Sequence, residues 1–280
     1  MHNGNIGGWK YVKRPLADSL NDKWYLGVKG GTDSEWAFAL FLHLLEQEGV
    51  DPSSTPESGF GEKILRRVMT KTIATINAFV KAIPAEYKLA DVETRSLMNF
   101  AVTDGHSVIA TRYVSSKTDA AASLYYSAGT DWVEGPKKGE FRMERRDKAS
   151  DVVLVASEPL TFERRMKPHI PFSALVPNSL ADNWLSVPTN TVLSICNQTV
   201  YLRPIKDEFY DPDPSAERSS CFAQEKGLVS KAPGGPSLTP MATPSISSSQ
   251  QNTPLALGKS LVNGSMVDIP TRVSNLRMEA

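Results

Sequence analysis

The sequence predicts a layered α+β domain followed by a disordered tail. Three observations lead there. Two long helical patterns come first, a run of hairpin-linked strand patterns follows, and the composition changes sharply near Tyr210. Helices that precede strands, without alternating with them, point to antiparallel sheets covered by helices. Segments apolar on both faces, such as Leu97-Met98-Asn99-Phe100-Ala101-Val102, need cover on two sides.

The first helix is predicted to open at Thr32-Asp33-Ser34-Glu35, a capping box in which Thr32 caps and Glu35 reaches back. Trp36, Phe38, Leu40, Phe41, Leu42, Leu44 and Leu45 then cover most of its circumference, so it should be largely buried, and Gly49 stops it. The second is predicted over 62–83. Ile64, Leu65, Val68, Thr72, Ile73, Ile76, Phe79, Val80 and Ile83 form one stripe, Lys63, Arg66, Arg67, Lys71 and Lys81 a solvated face, and Pro84 the end. Strands are predicted over 96–103 and 106–113, flanking the hairpin dipeptide Asp104-Gly105. Further strands fall at 122–128, 151–156, 184–187, 191–196 and 199–204, with Asn197-Gln198 turning the last pair.

Lysine plus arginine equals aspartate plus glutamate, 31 of each, which gives no reason to expect nucleic acid or a membrane surface as partner. No apolar run approaches the ~20 residues of a membrane span. The chain opens on no charged-then-apolar leader, and its two cysteines, Cys196 in a strand and Cys221 in polar sequence, suggest a reducing compartment; a cytoplasmic protein is expected. The domain is expected to occupy 1–210 and the tail 211–280, where Ser, Thr, Pro and Gly dominate and too little apolar surface is available to offset ordering entropy. Composition alone explains Thr239-Pro240, Thr243-Pro244 and Thr253-Pro254. His43, His106 and His169 show no metal-ligand spacing and read as structural.

Three short segments could carry chemistry. In Met1-His2-Asn3-Gly4-Asn5 an asparagine amide and a glycine N–H stand side by side, a donor pair for a developing oxyanion. Asn-Gly is also the favoured turn dipeptide, and by itself the segment reads as a turn. In Gly30-Gly31-Thr32-Asp33-Ser34-Glu35 the glycines let the backbone approach a small ligand and Asp33 offers a carboxylate to an ammonium group. An acid in a first helical turn is equally favoured by the macrodipole. In Ala156-Ser157-Glu158-Pro159-Leu160, Glu158 reads either as a catalytic acid or as part of a strand-ending turn.

In this order and spacing the three segments resemble the class-II glutamine amidotransferase domain of the N-terminal-nucleophile hydrolases. The resemblance continues through 184–195 and covers roughly 1–203. Within the family, 99–112 and 123–129 most resemble the fungal cytosolic subunit of a glutathione-degrading complex, a branch related to bacterial γ-glutamyl amidohydrolases. The resemblance implies a four-layer αββα sandwich and cleavage of a γ-glutamyl amide. The nucleophile is an N-terminal cysteine whose own α-amino group acts as base, and the thioester formed is hydrolysed. It implies no cofactor or metal, a small γ-glutamyl substrate (glutathione or glutamine) and a peptidase-like protein subunit as partner. Asn3 and Gly4 match the family's oxyanion hole. Asp33, preceded by Gly31 and Thr32, matches the carboxylate that holds the substrate's α-ammonium.

The departure from the family is at the nucleophile. Position 2 is His2, a poor nucleophile without a neighbouring acid, and Cys196 and Cys221 lie far along the chain. The arginine that clamps the substrate's α-carboxylate is also unmatched. Both groups are expected ahead of Met1 in a complete member, so the domain is read as N-terminally truncated, its sandwich incomplete and the chain inactive alone. An oxyanion donor contributes about a hundred- to a thousand-fold in rate, but only when attack occurs. Whether this polypeptide is itself an enzyme is therefore open: the alternative is a non-catalytic, partner-binding or regulatory short form.

Overall fold

A computed structural model of the protein describes residues 1–88, 92–129, 131–134, 141–144, 151–160, 184–213 and 216–229. The chain divides into a unit Met1–Gly234 and a unit Gly235–Ala280, the second outside the described residues. In chain order the elements are β1 (His2–Asn5), α1 (Trp9–Ser19), α2 (Asp22–Gly27), α3 (Asp33–Gln47), α4 (Glu62–Lys81), α5 (Ala85–Lys88), β2 (Leu97–Thr103), β3 (Ser107–Arg112), β4 (Tyr125–Gly129), β5 (Asp131–Glu134), β6 (Phe141–Glu144), β7 (Val152–Ala156), β8 (Leu185–Ser186), β9 (Thr191–Cys196), β10 (Thr199–Pro204) and α6 (Cys221–Glu225).

Five strands form an antiparallel sheet in the order β1-β2-β3-β9-β10, and three form a second in the order β7-β4-β8. Period-2 alternation sorts the first sheet's side chains onto two faces. Met98, Phe100, Ile109 and Val192 join Val12 and Leu16 of α1, Leu40 of α3 and Ile73 and Ile76 of α4 in one core. Ala101, Ala110, Leu193, Ile195 and Leu202 turn the other way and meet Leu124, Tyr126, Val155 and Val187 around the second sheet. The described residues thus stack a helical layer, the five-stranded sheet and the three-stranded sheet. This is a mixed α/β architecture with antiparallel sheets, and the two-sided cover expected for β2 is present.

α4 buries the stripe read from its sequence, with Leu65, Val68, Met69, Thr72, Ile73, Ile76 and Val80 all buried. α3 buries Trp36, Leu40, Phe41, Leu44 and Leu45, but Phe38 lies 51% exposed. Its capping box differs from expectation. Thr32 Oγ1 accepts from Glu35 N at 3.4 Å, yet the Glu35 carboxylate reaches past Thr32 to Lys29 N and Gly30 N, both at 2.8 Å. Gly30 makes this possible, since a Cβ there would stand 2.4 Å from Glu35 Oε2. The hairpin turns form where expected: Asp104 Oδ1 accepts from Ser107 N and His106 N, and Asn197 and Gln198 both take positive φ, 48° and 56°.

Three features depart from the sequence reading. His2–Asn5 is a strand and not a turn, paired with β2 in the register His2↔Phe100 to Asn5↔Leu97. α1 forms despite Pro15 inside it, because Val12 and Leu16, one turn apart, are both fully buried. The segment 216–229, which composition places in the tail, packs against the body. Phe222 is 2% exposed among Leu97, Val114 and Ala121, and Ser219 pairs with Asp119. His169 and the Thr-Pro pairs lie outside the described residues. Among the described residues no helix is long and apolar enough to cross a membrane.

Candidate functional site

β1 stands first in the five-stranded sheet, and among the described residues no strand pairs with its other edge. Met1 and Ala101 exchange both backbone hydrogen bonds, at 2.9 Å each. Bonded and non-bonded pairs alternate in an antiparallel ladder, which makes Asn3/Asn99 and Asn5/Leu97 the next bonded pairs. His2 and Gly4 therefore point their N–H groups away from β2, toward that other edge. Gly4 is required here by space: a Cβ would lie 1.9 Å from Leu97 O on the neighbouring strand.

The side chains of β1 alternate between the two layers. His2 turns toward the helices, its side chain 2% exposed and its ring centroid 4.5 Å from that of Phe100. His2 Nε2 lies 3.1 Å from Leu97 O and Nδ1 lies 3.0 Å from Ser34 Oγ. A carbonyl can only accept, so Nε2 carries the hydrogen, and the one Ser34 hydroxyl hydrogen faces both Nδ1 of the ring and Asp33 Oδ1. Burial holds the His2 pKa below its ordinary value; Leu97 O and the Asp33 carboxylate oppose this only in part. Asp33 closes the group. Its Oδ2 accepts from Ile6 N at 2.9 Å, and its Oδ1 lies 3.2 Å from Ser34 Oγ and 3.8 Å from His2 Nδ1. The carboxylate is 18% exposed.

Asn3 turns the opposite way, toward the second sheet, and its Nδ2 donates to Ser157 Oγ at 3.3 Å. All three segments singled out in the sequence thus meet at β1: Asn3-Gly4 on the strand, Asp33 docked on Ile6 at its end, and Ser157 against the Asn3 amide. Gly31 and Thr32 are exposed beside them. Gly31 O accepts from the Trp9 indole at 3.3 Å, while the Thr32 hydroxyl is occupied as helix cap. Glu158 Oε1 accepts from Ser123 Oγ at 2.8 Å, and the carboxylate sits near Tyr125 and Arg112. Burial, and then Glu158, push the Tyr125 hydroxyl pKa up.

Neither cysteine is near. Cys196 pairs with Ser107 on β9, three strands from β1, and Cys221 is exposed on α6. His43 Nε2 meets Gln47 at 2.8 Å, and His106 is exposed at the hairpin. Among the described residues no three His, Cys, Asp or Glu side chains gather as metal ligands do. Sequence reasoning passed over Asn99, Ser123 and Arg112 as strand residues. The signal for Asn99 was available, because an amide inside Leu97-Met98-Asn99-Phe100 must find buried partners.

No family model matches the chain. Over 233 residues, 83% of its length, the chain is 45% identical to the probable glutamine amidotransferase DUG3 of Saccharomyces cerevisiae. Over most of its length the chain is thus similar to a glutamine amidotransferase. It spans 59% of the length of that yeast relative. A glutamine aminotransferase class-II domain protein from Silicibacter pomeroyi is similar with a TM-score of 0.44 and 21% identity, over 74% of this chain and 67% of that one. In this chain β1 offers an outward backbone N–H next to an anchored side-chain amide, with the Asp33 carboxylate bonded to Ile6 N just past the strand. Two such donors suit a developing negative oxygen and the carboxylate suits an ammonium group.

Proposed function

We propose that these residues form the C-terminal portion of a class-II glutamine amidotransferase domain that hydrolyses γ-glutamyl amide bonds. The substrate is glutathione or glutamine, and the setting is a cytoplasmic glutathione-degrading complex with a peptidase-like subunit. The observation that carries this reading is the outward Gly4 N–H beside the Asn3 amide, with Asp33 docked at the end of the same strand. In this reading Asn3 and Gly4 stabilise the tetrahedral oxyanion, and Asp33, with Gly31 and Thr32 beside it, receives the substrate's α-ammonium. The attacking thiolate and the clamp for the α-carboxylate come from outside these 280 residues, which alone do not cleave the amide. Those same missing residues would complete a four-layer αββα sandwich.

The test is hydrolysis of glutathione and of glutamine by the polypeptide as its own cells make it. Asn3→Ala is expected to lower kcat about a hundred- to a thousand-fold, and Asp33→Asn to raise KM about a hundred-fold. A wild-type polypeptide that releases no glutamate from either compound overturns the reading. The alternative, a non-catalytic short form, is favoured by the distance of Cys196 and Cys221 from β1; it requires the 280-residue polypeptide itself to be found in cells bound to a partner subunit.

A further inference from the structure

Asn3 is anchored by a closed ring of polar groups that crosses from the first sheet to the second. Asn99 stands opposite Asn3 in the ladder, on the same face. Its Nδ2 donates to Ala122 O at 3.1 Å and Ser123 O at 3.3 Å, and its Oδ1 accepts from Tyr113 N at 3.2 Å. Ser123 Oγ then donates to Glu158 Oε1 at 2.8 Å, and Ser157, adjacent in the chain, returns to the Asn3 amide. A serine meeting an asparagine on a surface would ordinarily mean little. Here the far side of the ring is fixed by buried groups, Asn99 at 5% and Ser123 at 4% exposure, so the exposed Ser157 is held from the buried side through the adjacent Glu158.

We infer that Ser157 is the positioning residue for the Asn3 amide, holding its NH2 group so that one hydrogen is spent on Ser157 Oγ and the second stays available to a ligand oxygen. An untethered amide turns about its last side-chain bond and presents its carbonyl oxygen as readily as its nitrogen, which would repel an oxyanion. The hydroxyl of Ser157, held through Glu158 and Ser123, removes that freedom. The inference rests on the reading of Asn3 as an oxyanion donor, and it adds a residue from the second sheet to a site otherwise built on β1 and α3.

Two measurements separate the inference from that reading. In the 280-residue chain, 15N relaxation is expected to show the Asn3 side-chain amide as ordered as the backbone, disordered in Ser157→Ala and ordered again in Ser157→Thr. An amide equally ordered in Ser157→Ala overturns the inference whatever the protein catalyses. In the polypeptide as cells make it, Ser157→Ala is expected to lower kcat for γ-glutamyl amide hydrolysis about ten- to a hundred-fold with KM unchanged, and Ser157→Thr to restore it. An unchanged kcat with a disordered amide also overturns the positioning role. A wild-type polypeptide without hydrolysis removes the functional reading but leaves the relaxation result standing.

Discussion

His2 stands where the sequence reading found a poor nucleophile, and the structure gives it a local task. It fills the space under Gly4, and its two nitrogens are committed to Leu97 O and Ser34. Charging this ring means placing a second N–H on Nδ1, against the Ser34 hydroxyl, in a buried site. Its pKa in the folded chain is therefore lowered from the ordinary 6.5, with burial the main cause. Between that lowered value and 6.5 the unfolded chain binds a proton that the folded chain refuses, so stability rises with pH across this window and is lost as the solution is acidified through it. Urea unfolding at about pH 7.5 and about pH 5.5 should show a lower midpoint at the acid value, and the difference should shrink in His2→Gln. An equal difference in the variant would remove His2 as its source. At this scale the sequence singled out Asn3, Gly4 and Asp33 by motif, and the fold brings them together at β1. The sequence was illegible where a contact joins residues 154 apart, as between Asn3 and Ser157.

The elements read best were those whose own periodicity decides them. α4 and the β9–β10 hairpin fell where their stripes and turn residues placed them, because each carries its burial pattern in consecutive positions. β1 was missed because four polar or small residues show no alternation, and its pairing is supplied by β2. α1 was hidden by Pro15, which argues against a helix unless tertiary burial of Val12 and Leu16 outweighs the lost hydrogen bond. α6 sits in sequence whose composition suggests no core, since one aromatic residue does the anchoring. Phe222 packs under the Arg95 guanidinium, 4.0 Å from its ring centroid, while Arg95 also bonds Glu93 and Asp119. Arg218 binds Ser116 O, Asp119 O and Phe209 O, and Ala120 N donates to Ser219 O. The strap 216–229 thus holds the loop that carries Ser123. Truncating a core phenylalanine ordinarily costs about 3–5 kcal/mol. A strap that can detach by itself should instead show the loss locally, so Phe222→Ala is expected to abolish hydrogen-exchange protection at Ala120 and Ser219 with little change in global Tm. Retained protection at both amides would mean that Arg218 and the backbone bridge suffice without the ring.

At the scale of the molecule, the two sheets meet across an apolar layer with the charged Arg112 set into it. Arg112 leaves β3 on the face turned to the second sheet, where its Nε donates to Ala122 O at 3.0 Å and its Nη1 to Val187 O at 2.5 Å and Ser186 Oγ at 3.1 Å; its Nη2 donates to Ala121 O at 3.3 Å. One planar fork thus ties the first sheet, the loop before β4 and the strand β8. Burial pushes its pKa down to about 10, partly opposed by Tyr125 and Glu158, so it remains charged at neutral pH. The bonding is to three carbonyls and a hydroxyl, which the spread nitrogens of a guanidinium reach together and the three N–H groups of a single ammonium nitrogen cannot. Hydrophobic contact alone would let the sheets slide, since Ala110, Leu193 and their partners are non-directional; the fork specifies how they register. Arg112→Lys keeps the charge but abandons two or more of these acceptors in a buried place, which is expected to cost about 1–3 kcal/mol. The loss should appear as a lower urea midpoint with an unchanged m-value. Because Ala121 and Ala122 precede Ser123, the same variant should loosen the Asn3 side-chain amide in 15N relaxation, carrying a change between the sheets to the edge of β1. A destabilised variant whose Asn3 amide stays ordered would show that the ring through Ser157 is held by Asn99 and Glu158 alone.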